Sequence, residues 1–243
     1  RHCIAAHILK SYNWIVQFDG DIGVVDESKC VESLLSPGID VIHEERFHNG
    51  EIHAGSMIVR NNDFAWNYLM NWAKMERSQP RGFSNLDNGA LHLHLLKLFY
   101  PDDASKYEKC RHAWNRSYDL SSYDQYVGCV MQYLSEFHEN GPRNIRLLRR
   151  GHGFVRDLWV SDGLISPVDF FVHAIKAHVD LYQSGPDQCG KSSWKPLIPT
   201  EKIITIEAMK EKIRSTEDHF FSQRPLSLIS ASRIGDCWPT CRE

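Results

Sequence analysis

Residues 14–21 read Trp-Ile-Val-Gln-Phe-Asp-Gly-Asp, a short and mostly apolar run that ends in two carboxylates. A run of this length and composition predicts a buried strand that stops at Asp19. In open α/β sheets, ligands bind in the crevice at the carboxyl ends of the strands. The stretch therefore predicts an α/β fold with a ligand site at residues 19–21.

The two carboxylates of this stretch can approach a single cation. Side chains at i and i+2 of an extended segment share one face, so Asp19 and Asp21 point the same way. Gly20 between them leaves room for a ligand near the backbone. Hard oxygen ligands suit Mg²⁺ or Mn²⁺. The alternative is a solvated turn after a strand, because Asp and Gly are common turn residues.

Strand and helix patterns alternate on both sides of this stretch. The predicted strands are residues 14–18, 22–25, 39–42, 56–59 and 145–148. The first predicted helix is residues 4–12, with one apolar face made by Ile4, Ile8 and Tyr12 and by Ala5 and Leu9 beside them. The others are a helix after the capping residues 61–63, and residues 88–99 and 123–137. This alternation predicts a central mixed sheet flanked by helices. The composition changes after Tyr182, which divides the chain into a main domain at residues 1–182 and a connector, a polar helix near 201–221 and a tail at residues 183–243.

Composition and charge exclude some classes of protein. The 243 residues carry a formal net charge of −3, which gives no indication of a nucleic-acid partner. No apolar run has the length of a membrane span. Seven cysteines and the acceptor sequence Asn115-Arg116-Ser117 favour the secretory lumen. Because the chain begins at Arg1 directly before a predicted helix, we expect it to be a fragment whose N-terminus lies upstream, where an anchor could stand.

Further motifs accompany the carboxylate pair in a fixed order along the first three-quarters of the chain. They are Arg1-His2-Cys3, Asp19-Gly20-Asp21-Ile22-Gly23-Val24, Arg46-Phe47-His48-Asn49, Ala54-Gly55-Ser56, Val59-Arg60-Asn61, Asp87-Asn88-Gly89-Ala90-Leu91-His92, Arg156-Asp157, Asp169-Phe170-Phe171 and His173. Through them the sequence resembles the nucleotide-diphospho-sugar transferase family, glycosyltransferases of the Rossmann-related GT-A type with a D-x-D motif. The resemblance implies a GT-A-like catalytic domain at residues 1–182 and a nucleoside diphosphate sugar donor, which we expect to be UDP-linked. It also implies a glycan or glycoprotein acceptor and a location in the Golgi lumen.

More distantly, the layout is similar to that of retaining galactosyl- and xylosyltransferases. In those families a late His joins the two aspartates on the metal, and a nearby Lys meets the donor diphosphate. His173-Ala174-Ile175-Lys176 has that H-x-x-K form. The resemblance thus implies Asp19, Asp21 and His173 as ligands of Mn²⁺ or Mg²⁺, and Lys176 as a diphosphate contact. The alternative is a hydrogen-bonded His173 on an ordinary helix beside a solvated Lys176.

The same resemblance implies further contacts with the donor. Arg1 would contact the diphosphate, and Asp87 and Asn88 would contact the donor sugar. The small residues Ala54-Gly55-Ser56 would allow the sugar close to the backbone. The alternatives are a tight turn or bulge at residues 54–56 and a helix N-cap at Asp87. Arg156-Asp157 is open between ligand binding and a buried ion pair.

Two departures from the family pattern leave other functions open. Gly20 stands where the family has Ala, and the strand–helix–strand that holds the nucleotide base in the family is not in the chain. A strand ending in Asp-x-Asp also opens the haloacid-dehalogenase phosphohydrolases, in which the first Asp is a nucleophile and the second an acid/base. That family has Thr or Val where Gly23 stands, and only Asp102-Asp103 could supply its later acidic cluster. The third possibility is a non-catalytic module that binds glycans or proteins.

Overall fold

The protein is a mixed α/β fold in which two small sheets are flanked by helices. The computed structural model describes residues 1–83, 85–138, 141–175, 200–215 and 231–240. The strands in this part of the chain are β1 (Trp14–Phe18), β2 (Ile22–Val24), β3 (Val41–Glu44), β4 (Ser56–Arg60), β5 (Ile145–Leu148), β6 (Val155–Asp157) and β7 (Phe171–His173). The helices are α1 (His2–Leu9), α2 (Asp63–Met75), α3 (Leu86–Phe99), α4 (Ala104–Asn115), α5 (Leu120–Leu134), α6 (Ile206–Ser215) and α7 (Ala231–Cys237).

The strands form two sheets that are joined by the D-x-D segment. The first sheet has the order β1-β4-β3-β5, with β5 parallel to β3 and the other pairs antiparallel. The second has the order β2-β7-β6, with β7 antiparallel to β2 and parallel to β6. The sequence predicts one central sheet, whereas the chain leaves the first sheet after Phe18 and enters the second at Ile22. Residues 19–21 are therefore the link between the sheets.

The main core lies between the first sheet and the helices α2, α3 and α5. Met57 and Val59 of β4 pack there with Leu69 of α2, Leu96 of α3 and Val130 of α5, and all five are fully buried. Helix α3 is buried around most of its circumference, which explains why its apolar residues follow no single stripe. A disulfide between a cysteine of α4 and one of α5 closes the helical layer.

Several sequence predictions of secondary structure are confirmed. The strands predicted at residues 14–18 and 145–148 have those bounds in the structure. Helix α2 begins after Asn62, whose side-chain oxygen accepts a hydrogen bond of 2.8 Å from Ala65 N, as the capping prediction requires. Helix α4 and strands β6 and β7 were not predicted. Helix α4 is mostly polar, and both strands have only three residues, too few for a periodic pattern.

The face assigned to the first helix is confirmed only for Ala5 and Leu9, which are buried. Ile4, Ile8 and Tyr12 are 61%, 49% and 60% exposed, and Tyr12 lies beyond the end of α1. Ala5 and Leu9 face the core, where α1 packs against α2. The exposed side chains line an open, mainly apolar groove of about 490 Å³ along β1.

The C-terminal helices pack on the rest of the fold. Met209, Ile213 and Ile234 form a buried cluster with Phe47 and Val160. The polar helix predicted near residues 201–221 is present as α6. The last residues of that prediction lie outside the described part of the chain. The domain boundary predicted at residues 182–183 lies outside it as well. Among the described residues, no helix combines the length and the apolar character needed to cross a membrane.

Candidate metal centre

The residues predicted to bind a cation meet at the link between the two sheets. Strand β7 ends at His173, which pairs in register with Ile22 at the start of β2. The backbone N–H of Asp19 donates a hydrogen bond of 2.7 Å to the carbonyl of Gly55, directly before β4. The ends of four strands from both sheets thus converge here, and this convergence brings the D-x-D segment and His173 together.

Three side chains form a cluster with the geometry of a metal site. One potential ligand atom each from Asp19, His53 and His173 lie within 4.8 Å of one another. Oδ1 of Asp21 lies 3.6 Å from Nε2 of His173. Two of the predicted ligands, Asp19 and His173, therefore belong to the cluster, and Asp21 lies beside His173 at its edge. All three stand on strands and their link rather than on a helix. His53 was not predicted, although it stands directly before residues 54–56, which the sequence singles out for their small side chains.

The imidazole of His173 is oriented by a buried carboxylate. Nδ1 of His173 lies 2.8 Å from Oδ1 of Asp157, and Nη2 of Arg46 lies 3.0 Å from the same oxygen. Burial by itself raises the pKa of Asp157, but the charge of Arg46 and the hydrogen bonds from His173 and His48 hold it well below its usual range. Nδ1 of His173 lies 3.0 Å from Nη2 of Arg46 as well, so it either donates to the ionised carboxylate or accepts from the guanidinium. In the first tautomer the Nε2 lone pair of His173 is free to bind a cation.

The imidazole of His53 is held in the same way from its Nδ1 side. Nδ1 lies 3.0 Å from Oγ of Ser56, and the Ser56 hydroxyl donates to Glu44. Burial raises the pKa of Glu44 to about 8. With Glu44 protonated, as at neutral pH, the Ser56 hydroxyl is free to donate to Nδ1 of His53. When Glu44 is ionised it accepts the Ser56 proton, the Nδ1–H of His53 donates to Ser56, and Nε2 carries the lone pair. Burial and then the charge of Arg46 lower the pKa of His53 well below its usual range, which keeps this ring neutral.

The position of Gly55 shows where the ligand atoms converge. A Cβ built on Gly55 would lie 2.6 Å from Nε2 of His53 and closer still to Oδ2 of Asp19, inside the 3.0 Å that Cβ contacts essentially never violate. The absence of a side chain at residue 55 therefore makes space for both groups. Nε2 of His53 is buried, and it has no hydrogen-bond partner among the described residues.

A strained backbone position adjoins the cluster. Ala174, directly after His173, has a φ of 73°. Left-handed backbone costs an L-residue free energy, so it persists only where surrounding contacts fix it. The backbone N–H of Ile175 donates a hydrogen bond of 3.1 Å to the carbonyl of Asp21, which ties the strained segment to the D-x-D link.

Arg1 connects the cluster to a neighbouring cleft. Its guanidinium forms ion pairs with Asp19 and with Asp87, and Nη2 donates a hydrogen bond of 3.3 Å to the carbonyl of Ala54. The cleft has a volume of about 540 Å³, and Arg1, Asp19 and Asp87 line it together with Asn88. Burial raises the pKa of Asp87, but a hydrogen bond from His2 and the charge of Arg1 lower it overall, so the carboxylate is ionised.

Asp87 and Asn88 do not have the capping role that was the alternative for this position. Helix α3 begins at Leu86 after Asn85, and Asp87 is the second residue of the helix. Oδ1 of Asn88 accepts a hydrogen bond of 2.8 Å from the backbone N–H of Ala54. Asn88 therefore fixes the segment that carries His53 and Gly55, while Asp87 faces Arg1.

The remaining predicted residues divide into three groups. Ser56 is buried against Glu44 and His53, so its hydroxyl is not on the surface of the cleft. Arg156 forms a buried ion pair with Asp169, while Asp157 faces His173, which answers the question left open for this dipeptide. Lys176 lies outside the described residues.

The donor set fits a divalent transition ion. Carboxylate oxygens and neutral imidazole nitrogens are the ligands that Mn²⁺, Co²⁺ and Zn²⁺ accept. The site has three features expected of a metal centre. Nε2 of His53 has no partner among the described residues, Gly55 leaves space beside it, and the rings of His53 and His173 are each held from Nδ1.

Comparison with known proteins adds a family but no function. No curated protein and no solved structure matches the chain. The profile of the family described as "Protein of unknown function, DUF273" matches residues 1–186, which is most of the chain and includes the whole metal-ligand cluster. The chain therefore belongs to the DUF273 family.

Proposed function

We propose that the protein is a metal-dependent glycosyltransferase, with a GT-A-like catalytic domain. It would move a sugar from a nucleoside diphosphate sugar, most simply a UDP-linked one, to a hydroxyl of a glycan or glycoprotein, with retention of configuration. The observation that carries the proposal is the meeting of the strand-terminal carboxylates Asp19 and Asp21 with His173 beside a cleft that contains Arg1.

Different side chains would bind the cation and the diphosphate of the donor. Asp19, Asp21 and His173 would hold Mn²⁺ (or Mg²⁺), and the bound ion supplies positive charge to the departing diphosphate. Arg1 lies between the cluster and the cleft, where its guanidinium can bind phosphate oxygens. The Asp19 and Asp87 carboxylates keep this guanidinium in position until a donor binds.

The sugar would lie in the cleft next to Asp87. Its ionised carboxylate accepts hydrogen bonds from sugar hydroxyls, and Asn88 holds Ala54 and Gly55 so that the sugar can approach the backbone. Lys176 would contact the diphosphate, as the H-x-x-K pattern implies. An acceptor hydroxyl entering the cleft would form its bond to the anomeric carbon on the face from which the diphosphate leaves, as retention requires. The bond from that carbon to the diphosphate oxygen breaks, and the hydroxyl proton passes to the departing diphosphate.

No observation favours the phosphohydrolase alternative. Its second acidic cluster would need Asp102 and Asp103, but Asp103 caps α4 through a hydrogen bond of 3.1 Å from Ser105 N and pairs with Lys106. The proposed location in the Golgi lumen is supported by the Cys110–Cys129 disulfide, since disulfides persist in oxidising compartments.

The test is Mn²⁺-dependent hydrolysis of a panel of nucleotide sugars by the full-length protein. We expect one donor to release its nucleoside diphosphate, with Asp21→Asn abolishing turnover and His173→Ala reducing it. Asp63→Asn is the matched control, because Asp63 is an exposed carboxylate on α2 and should leave turnover unchanged. A correctly folded protein that neither turns over a donor nor binds nucleotide with Mn²⁺ would refute the transferase and leave a non-catalytic module.

A further inference from the structure

We propose that His53 is a fourth protein ligand of the cation, and that the resulting set of two imidazoles and two carboxylates selects a transition ion such as Mn²⁺ over Mg²⁺. The inference rests on the metal-binding part of the proposed function and not on sugar transfer. The two can therefore fail separately. Neither the D-x-D motif nor the H-x-x-K pattern includes His53.

The first observation is an unpartnered nitrogen inside the protein. His53 is 3% exposed, and its Nε2 has no hydrogen-bond partner in the described part of the chain. An unpartnered buried nitrogen gives up its hydrogen bond to water. Because other buried histidines among the described residues, such as His43 and His94, have one too, the position of the atom decides its meaning. A cation at this position would supply the missing partner.

The second observation is that this nitrogen faces the other ligands. The missing Cβ of Gly55 leaves one small space that both Nε2 of His53 and Oδ2 of Asp19 border. The rings of His53 and His173 have their centroids 4.8 Å apart. His53 therefore lies beside two of the predicted ligands, within bridging distance of a single ion.

The third observation is that both imidazoles are held from the opposite nitrogen. Ser56 holds Nδ1 of His53, and Asp157 holds Nδ1 of His173. Metal-binding histidines typically have their second nitrogen fixed in this way, because the outer hydrogen bond sets the tautomer and the ring orientation.

Two imidazole ligands change the choice of cation. Mg²⁺ takes oxygen ligands and keeps much of its water, whereas Mn²⁺, Co²⁺ and Zn²⁺ accept imidazole nitrogen. A site with His53 and His173 together therefore favours these ions more strongly than a site with two carboxylates and one histidine.

The test counts the nitrogen atoms bound to Mn²⁺ by pulsed electron paramagnetic resonance of the full-length protein. We expect couplings from two ¹⁴N ligands in the wild-type protein and from one in His53→Gln. We also expect His53→Gln to weaken Mn²⁺ binding by about 100-fold or more, and to lower the preference for Mn²⁺ over Mg²⁺ in competition. Ser56→Ala keeps the ligand but removes its support, so it should weaken Mn²⁺ binding by about 10-fold to 100-fold.

The matched control is His94→Gln. His94 is as buried as His53 and also has an Nε2 without a partner among the described residues, but it lies on α3 outside the cluster. It should retain two nitrogen couplings and wild-type affinity. A single ¹⁴N coupling in the wild-type protein would overturn the inference without any variant. Two couplings without turnover of any nucleotide sugar would sustain the inference and refute the transferase.

Discussion

Replacement of Gly55 by alanine is expected to destroy the metal site and leave the fold intact. The added methyl would occupy the space between Oδ2 of Asp19 and Nε2 of His53. Gly55 is not among the residues with positive φ, so alanine can adopt its backbone conformation. The part-exposed Asp19 side chain can rotate away, but the buried His53 ring has to shift against Ser56. We therefore expect the free energy of unfolding to fall by about 1 kcal/mol.

The expected loss of metal affinity is much larger than the change in stability. Disturbing a residue that only supports a ligand costs about 10-fold to 100-fold in metal affinity. The Gly55→Ala methyl displaces two candidate ligands at once. We therefore expect the dissociation constant for Mn²⁺ to rise by at least about 100-fold, which corresponds to roughly 2.7 kcal/mol.

Two measurements separate these effects. The amplitude of the free Mn²⁺ resonance during titration reports the affinity, and the thermal unfolding midpoint without metal reports the fold. Gly20→Ala is the matched control, since a Cβ at Gly20 has no atom within 4 Å and the chemical change is the same. Gly20→Ala should bind Mn²⁺ as the wild-type protein does. Wild-type affinity in a folded Gly55→Ala variant would refute the convergence of ligands at this residue.

Three further predictions concern stability. Burial and then the charge of Glu51 raise the pKa of Asp124 to about 7, so the folded protein retains a proton that the unfolded chain loses as the pH rises above about 4. The free energy of unfolding therefore falls as the pH rises towards 7. Between pH 5 and pH 8, measured by urea unfolding, the fall should be about 2 kcal/mol smaller in Asp124→Asn than in the wild-type protein. The same fall in both proteins would contradict this prediction. Asp169→Asn leaves Arg156 buried without its ionic partner and should lower the free energy of unfolding by about 3–5 kcal/mol in the same assay. A loss below about 1 kcal/mol would contradict this, because it would mean that Arg156 finds another partner or reaches water. Asn62→Ala removes the cap of α2 and should cost about 1 kcal/mol, while Asn62→Asp should cost little.

The parts of the fold that could be predicted are those in which local pattern and packing agree. Strand β1 is an apolar run with a sharp polar end, and α2 has both a cap and an amphipathic face. Helix α4 lacks such agreement, because only Cys110 and Trp114 are buried in a mostly polar segment. Strands β6 and β7 exist through pairing with distant residues, so three-residue windows of sequence contain little sign of them.

The division of the strands into two sheets could not be predicted either, because it also depends on pairing between distant parts of the chain. The lengths of β1 and β2 are readable from the sequence, but their partners are not. Strand β1 pairs with β4, whereas β2 pairs with β7, more than a hundred residues further along the chain. Only these pairings reveal that the D-x-D segment links two sheets, and that His173 lies beside it.

Only part of the candidate site could be predicted from the sequence. Residues that belong to a motif can be recognised there, whereas His53, which belongs to none, cannot. Asp19, Asp21 and His173 fall in a known order along the chain, and the structure brings them together. His53 belongs to no such motif. Its sequence signal was the glycine two residues later, because a histidine and an aspartate that share a small space need one position without a side chain.

The glycine that makes space for the ligands is Gly55 and not Gly20, to which the sequence assigns that role. Gly20 lies between the carboxylates and would be expected to make room for a ligand, yet a Cβ there would meet no atom within 4 Å. Gly55 on the neighbouring strand end is the residue whose side chain would fill the space between Asp19 and His53. An alanine at residue 20 is therefore compatible with the site. The requirement for glycine comes from the approach of two strands, and it follows from the pairing of Phe18 with Ser56 rather than from the carboxylate motif itself.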